Sequence, residues 1–280
     1  MGRHDYPGLD SSKSGEGQVT VMPPIEFFIA GVQKGGTSSL AHYLRRSSCV
    51  QLPDGKEIHF FDDESVDWSA PDYRPLHAHF NWSQMSGVIR GEATPIYVYW
   101  PDSMERIRCY NSGAKVIVSL RHPSYRAYSH WRMETTRAAE TMSFDDATSD
   151  VGRCRVSNAK GGVHRVYSYV ERGFYAPQIR RLQRLFPPDQ LLFLRTDHLW
   201  AETGRTLSRI HQFLGIAPPA STERTYVTPY HRTGRDSIAA AALSRLNDLF
   251  NADIHEASRL TGVSLSDWLE PDYREPMAPD

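Results

Sequence analysis

Three cysteines in 280 residues, Cys49, Cys109 and Cys154, are too few and too scattered for a disulfide framework or a zinc site. They read as reduced thiols, which points to a cytoplasmic protein. No run of about 20 apolar residues occurs, so no membrane-spanning helix is expected. Residues 1–22 are polar, rich in Gly and Ser, and have no apolar core of a signal peptide. They are expected to form a flexible leader, with 23–280 as a single domain. The net charge of −1 gives no global field toward nucleic acid or an anionic membrane. Twelve histidines form no His-Glu-x-x-His pair and no His-x-His cluster near a cysteine, so no metal site is expected. No internal repeat is visible.

What is present is an alternation of short apolar runs with amphipathic segments. That pattern argues for an α/β domain, a central parallel sheet flanked by helices. IEFFIAG (25–31) is the first strand, TSSLAHYLRR a helix beginning near Thr37 or Ser38, and VQLPDGKEIHFF the site of a short second strand. GVIRGEA is the third, and AKVIVSLR (114–121) the clearest buried strand after the first. HPSYRAYSHWRMETTR predicts a helix with Pro123 in its first turn. APQIRRLQRLFP is an amphipathic helix, DQLLFLRTDHL holds a buried strand, and GRTLSRIHQFLG is a helix stopped by Gly215. Two further helical stretches are expected around 237–250 and 253–261. Residues 139–164 are polar and weakly periodic, which suits a functional lid, a disordered segment or a tolerated surface insertion.

The first strand runs into GVQKGGTSSL, a glycine loop entering a helix. Such a loop offers backbone N–H groups and a helix N-terminus to an anion. Lys34 adds a point charge, and Thr37 and Ser38 add hydroxyl donors. Two glycines alone would mean only a turn; the lysine and hydroxyls beside them favour phosphate. A nucleotide triphosphatase loop requires lysine directly after the last glycine, G-x-x-x-x-G-K-[ST]. Here Lys34 precedes Gly35 and Gly36, and the strong strand at 114–121 ends in arginine rather than in an acid that could hold Mg²⁺.

Arg121 stands at the carboxyl end of a buried strand, where open α/β sheets bind ligands. Ser129 lies two helical turns further on. The pair could clamp a second phosphate, or Arg121 could pair with a helix carboxylate. In GKEIHFFDD, an extended chain would turn Glu57 and His59 to one side and Ile58 and Phe60 to the core. The two polar residues then read either as a general base beside a histidine or as a solvated edge pair.

Together these stretches resemble the PAPS-dependent sulfotransferases, most closely the heparan sulfate N- and 3-O-sulfotransferase type and its bacterial small-molecule relatives. GVQKGGTSSL is similar to the family's 5′-phosphosulfate loop, SLRHPSYRAYSHW to its 3′-phosphate motif, and KEIHFF to its E-x-H-F-F stretch. SYVERGFYAPQIRRLQRLFP with LLFLRTDHL, and the basic YHRTGRD, resemble further family segments, so the likeness runs from about 25 to 269. The resemblance implies a P-loop-like three-layer sandwich that uses PAPS as donor, releases PAP and needs no metal. It implies that Lys34 meets the sulfuryl group and its bridging oxygen. Gly35, Gly36, Thr37 and Ser38 would bind the 5′-phosphate. Arg121 and Ser129 would bind the 3′-phosphate, helped by Arg232, Thr233, Gly234 and Arg235. Glu57 would be the catalytic base, with His59 beside it. One departure is Ala93 in GEATPIY, where the glucosaminyl 3-O-enzymes carry a lysine. It points away from heparan sulfate, as does the absence of a membrane anchor expected of a Golgi enzyme.

The expected reaction is sulfuryl transfer from PAPS to a hydroxyl, or less readily an amine, of a carbohydrate-containing or other small metabolite. Nucleic acid and membrane are not expected partners. A Mg²⁺-dependent P-loop kinase and a non-catalytic nucleotide-binding module are the alternatives. A lysine and backbone donors can stabilise charge on a departing phosphate oxygen without a metal. A second phosphate adds binding energy that fixes the donor's geometry.

Overall fold

The computed structural model describes residues 22–55, 57–83, 86–219, 221, 223, 238–270 and 272–275. The leader expected at the N-terminus and the loop carrying Arg232, Thr233, Gly234 and Arg235 lie outside the described residues, the leader's last residue aside.

The apolar runs form a five-stranded parallel sheet in the order β2-β3-β1-β4-β5. The strands are β1 (Phe27–Gly31), β2 (Val50–Gln51), β3 (Ile89–Glu92), β4 (Lys115–Leu120) and β5 (Leu191–Arg195). All five residues of β1 are buried, as a central parallel strand covered on both faces must be.

The period-two alternation of β1 sorts its side chains into two separate cores. Phe27 and Ile29 join Ile117, Leu194 and the apolar sides of α1 (Thr37–Arg45) and α9 (Thr203–Leu214). Phe28 and Ala30 join Val116, Val118 and Phe193 on the other face, under α7 (Tyr175–Leu185), α4 (Pro123–Thr136) and α10 (Ala240–Thr261). The result is the three-layer sandwich that the sequence predicts. Each fully buried Phe, Ile or Leu contributes about 1.5–3 kcal/mol.

Three local expectations change. The second strand is only Val50–Gln51, and Glu57 and His59 follow as irregular backbone with φ of 67° and 59°. Left-handed φ at both residues rules out the extended EIHFF run. The two C-terminal helical stretches are one helix, α10, because Asn251 and Ala252 continue its period without a breaker. Residues 139–164 are structured, with α5 (Phe144–Thr148) capped by the Ser143 side chain, α6 (Asp150–Ser157) and a 3₁₀ turn at Lys160–Gly162. Short helices α2 (Arg74–His77), α3 (Ser103–Tyr110) and α8 (Thr196–Ala201) complete the α-helices among the described residues.

Candidate active site

The loop after β1 is pressed against the end of β4. Val32 N–H donates to the Ser119 carbonyl at 3.1 Å, and Gly35 N–H to the Val32 carbonyl at 2.8 Å. A Cβ on Gly35 would lie 2.4 Å from the Ser119 carbonyl oxygen, so only glycine fits. Gly36 caps α1 at φ 74°, a left-handed conformation that glycine adopts freely. The Thr196 hydroxyl lies 2.8 Å from the Gly35 carbonyl oxygen and 3.0 Å from that of Leu120, tying the loop to the head of α8. The loop therefore delivers the N-terminus of α1 to the carboxyl edge of the sheet. No acid stands in that helix's first turn to occupy the positive end of its dipole. Thr37 is buried and Ser38 exposed.

Lys34 itself has φ 69°. Its Nζ reaches Met133 Sδ on α4 at 3.7 Å, and its carbonyl accepts from Arg121 Nη1 at 3.0 Å. The structure thus joins Arg121 to the lysine loop. Arg121 also makes two bonds to Glu275, Nε to Oε1 at 2.6 Å and Nη2 to Oε2 at 2.5 Å. Burial works against its charge, but the Glu275 carboxylate prevails and holds its pKa above the usual value. Arg121 does pair with a carboxylate, though one from the C-terminal segment rather than from a helix. Ser129 is half-buried on α4, two turns beyond Arg121.

Glu57 and His59 are brought together despite the loss of the strand, with Oε2 and Nε2 3.5 Å apart. The other ring nitrogen of His59, Nδ1, lies 3.0 and 3.2 Å from the two oxygens of Asp62. An imidazole between two carboxylates holds its proton. The hydrogen bond to Asp62 and then that to Glu57 overcome burial and push its pKa up to about 9. Burial also opposes the charge on Asp62. Hydrogen bonds from His59 and Arg165 outweigh it, and the carboxyl sits below its ordinary range.

Glu92 at the end of β3 anchors this irregular segment. Its Oε1 accepts from Ile58 N–H at 3.2 Å and from the Thr94 hydroxyl, while Thr94 Oγ1 accepts from His59 N–H at 3.4 Å. Glu92 is fully buried, and burial pushes its carboxyl up to about 7 against those bonds. Ala93 is buried in the α1–α9 core beside Phe27 and Ile29.

Sequence reasoning singled out Lys34, Gly35, Gly36, Arg121, Glu57 and His59, and all of them lie at one edge of the sheet, near the ends of β1, β3 and β4. It missed Asp62, Glu92, Thr94, Thr196, Arg165 and Glu275. Asp62 had a readable signal, an acid three residues past His59 in EIHFFDD. Arg165 and Glu275 are brought in from 103 and 154 residues away, and no local pattern announces them.

A five-stranded parallel sheet whose first strand runs through a lysine-glycine loop into α1, with an arginine following β4, is the frame in which these residues stand. The model of the "Sulfotransferase domain" matches residues 24–230, and the chain belongs to that family. Among its curated relatives is human heparan sulfate glucosamine 3-O-sulfotransferase 3A1. The two are 30% identical over 232 residues, covering 76% of this chain and 53% of the relative. The human 3B1 enzyme is 29% identical over 211 residues, covering 74% of this chain and 50% of the relative. The chain thus spans about half the length of these relatives. Among solved structures, a sulfotransferase from Alicyclobacillus acidocaldarius shares the fold with a TM-score of 0.73 at 23% identity. The match covers 89% of this chain and all of that one.

Proposed function

We propose that this chain transfers the sulfuryl group of PAPS to a hydroxyl, in preference to an amine, of a carbohydrate-containing or other small metabolite, and releases PAP. The observation that carries this reading is the meeting of two devices at one sheet edge. One is the Lys34 loop at the N-terminus of α1; the other is Glu57 held against a protonated His59.

Both parts of the donor have residues suited to them. The Gly35–Gly36 backbone and the Thr37 and Ser38 hydroxyls suit the 5′-phosphate, and Arg121 with Ser129 suits the 3′-phosphate. Lys34 is suited to neutralise charge on the oxygen that leaves as the S–O bond breaks. Glu57 takes the acceptor proton as the new O–S bond forms. His59 already holds a proton near neutral pH, so it serves as a charged anchor for Glu57 rather than as the base. Arg121 stands at the tip of β4 where a metal-holding acid would otherwise be, so a metal-free reaction is part of the proposal.

The named 3-O-sulfotransferases act on heparan sulfate glucosamine, which supports a carbohydrate acceptor. Ala93, with no charge to offer, supports an acceptor other than theirs. Free thiols at Cys49, Cys109 and Cys154 agree with a cytoplasmic site of action, and no helix among the described residues is long and apolar enough to cross a membrane. The test is a panel of carbohydrate, phenolic and amine acceptors with ³⁵S-labelled PAPS. Label should enter at least one hydroxyl-bearing acceptor with equimolar PAP release. Transfer of phosphate from ATP in the presence of Mg²⁺, with none of sulfate, would replace the reading with a kinase. Tight PAP binding with no turnover across the panel would replace it with a binding module.

A further inference from the structure

Asp62 is fully buried, yet it serves two cations at once. One is His59, through Nδ1. The other is Arg165, whose Nη1 donates to Asp62 Oδ2 and whose Nη2 donates to the Asp62 carbonyl. The Arg165 guanidinium lies 4.2 Å over the ring of Trp100, and that indole is fixed by its N–H to Glu64 Oε1 at 2.9 Å. The backbone of Arg165 is held as well, since its carbonyl accepts from Arg172 Nη2 at 2.7 Å. Arg172 is buried, stands over Tyr99, and donates through Nη1 to Gln33 in the Lys34 loop. A continuous polar path therefore runs from Gln33 through Arg172 and Arg165 to Asp62, His59 and Glu57. It connects the loop proposed for the donor with the carboxylate proposed as base.

We infer that Arg165 is a positioning residue for the reaction: it shares the Asp62 carboxylate with His59 and so fixes the imidazole against Glu57 in register with the Lys34 loop. It touches neither reacting group in this arrangement. Its action is geometric and electrostatic together. A buried carboxylate whose only cationic partner was His59 would hold the imidazolium proton more tightly and lose a fixed orientation. With Arg165 in place, Asp62 is clamped both at a carboxylate oxygen and at its main-chain carbonyl.

The groups facing His59 are Glu57 and Asp62 on its own segment, Glu92 from β3, and Arg165 through Asp62. Three of these are acids and Arg165 is the cation. Arg165 reaches the imidazole through Asp62, whose carboxylate it helps keep charged, and removing its positive charge is expected to raise the pKa of His59 above about 9. The inference rests on the proposed roles of Glu57 and His59, but its ring titration can be read without turnover.

The experiment compares Arg165→Met and Arg165→Lys with the unmodified full chain. Three readings are taken: kcat with the best acceptor, PAP affinity by calorimetry, and the ring titration of His59 by NMR. Arg165→Met should lower kcat about tenfold or more, leave PAP affinity within about threefold, and raise the His59 titration by roughly 0.5–1 unit. Arg165→Lys should return the titration most of the way while recovering only part of kcat, because a lysine restores the charge without the planar fork. An unmoved His59 titration in Arg165→Met would overturn the inference whether or not an acceptor has been found. So would parallel losses of kcat and PAP affinity. Failure of the acceptor panel with a shifted titration would instead count against the proposed reaction.

Discussion

Arg121 and Glu275 face each other through two parallel bonds, one from Nε and one from Nη2, with both side chains largely buried. The same guanidinium uses Nη1 to hold the carbonyl of Lys34. A planar fork presented to a carboxylate in this way is equally matched to a phosphate. A 3′-phosphate bound by Arg121 must therefore compete with Glu275.

The first prediction follows from that competition. Glu275→Gln keeps the shape and removes the charge, and should tighten PAP binding by roughly tenfold, equivalent to ~1.4 kcal/mol. A ligand lacking the 3′-phosphate should gain much less. Calorimetry with both ligands decides it, and equal gains would detach Arg121 from the 3′-phosphate. Arg121→Ala should weaken PAP by roughly ten- to a hundredfold, from ~1.5–3 kcal/mol for a lost charged hydrogen bond.

The second concerns Lys34. Its charge is assigned to the transition state, so Lys34→Ala should lower kcat by a larger factor than it weakens PAP affinity. Single-turnover rates beside PAP titrations would show the split. An unchanged kcat removes Lys34 from the chemistry.

The third concerns metal. Activity should persist in excess EDTA, given an arginine rather than an acid at the tip of β4. Loss of activity on chelation with recovery in Mg²⁺ would favour the kinase.

The fourth is a dependence of stability on pH. His59 has its pKa raised in the folded state to about 9. The stability it contributes is complete below its unfolded value of about 6.5 and is lost as pH rises toward 9. Thermal midpoints should fall across that window, and His59→Gln should flatten the fall. Glu92, raised by burial to about 7, adds a decline over the more acidic range between its unfolded value and 7. Midpoints that rise between pH 7 and 9 would contradict the paired arrangement of His59.

Much of this was legible in the chain because it is local. Buried strands such as FFIAG and KVIVSL are continuous apolar runs, and the glycines after Lys34 mark the loop between the first of them and α1. What escaped was set by distant contacts. Glu57 and His59 take left-handed backbone because Glu92 and Thr94 hold the Ile58 and His59 amides, and no alternation can report that. The 139–164 segment lacks a long period because it folds as two helices of five and eight residues, too short for a visible stripe.

The most direct test of the account is the identity of the base, measured as kcat and PAP affinity for Glu57→Gln and His59→Ala side by side. Glu57→Gln keeps size and polarity but takes no proton. It should lose roughly 10²–10⁴-fold in kcat with PAP affinity nearly unchanged. His59→Ala, which removes an anchor rather than the base, should lose less. A Glu57→Gln enzyme with near-normal turnover, beside a folded but inactive His59→Ala enzyme, would contradict the account and make His59 the base.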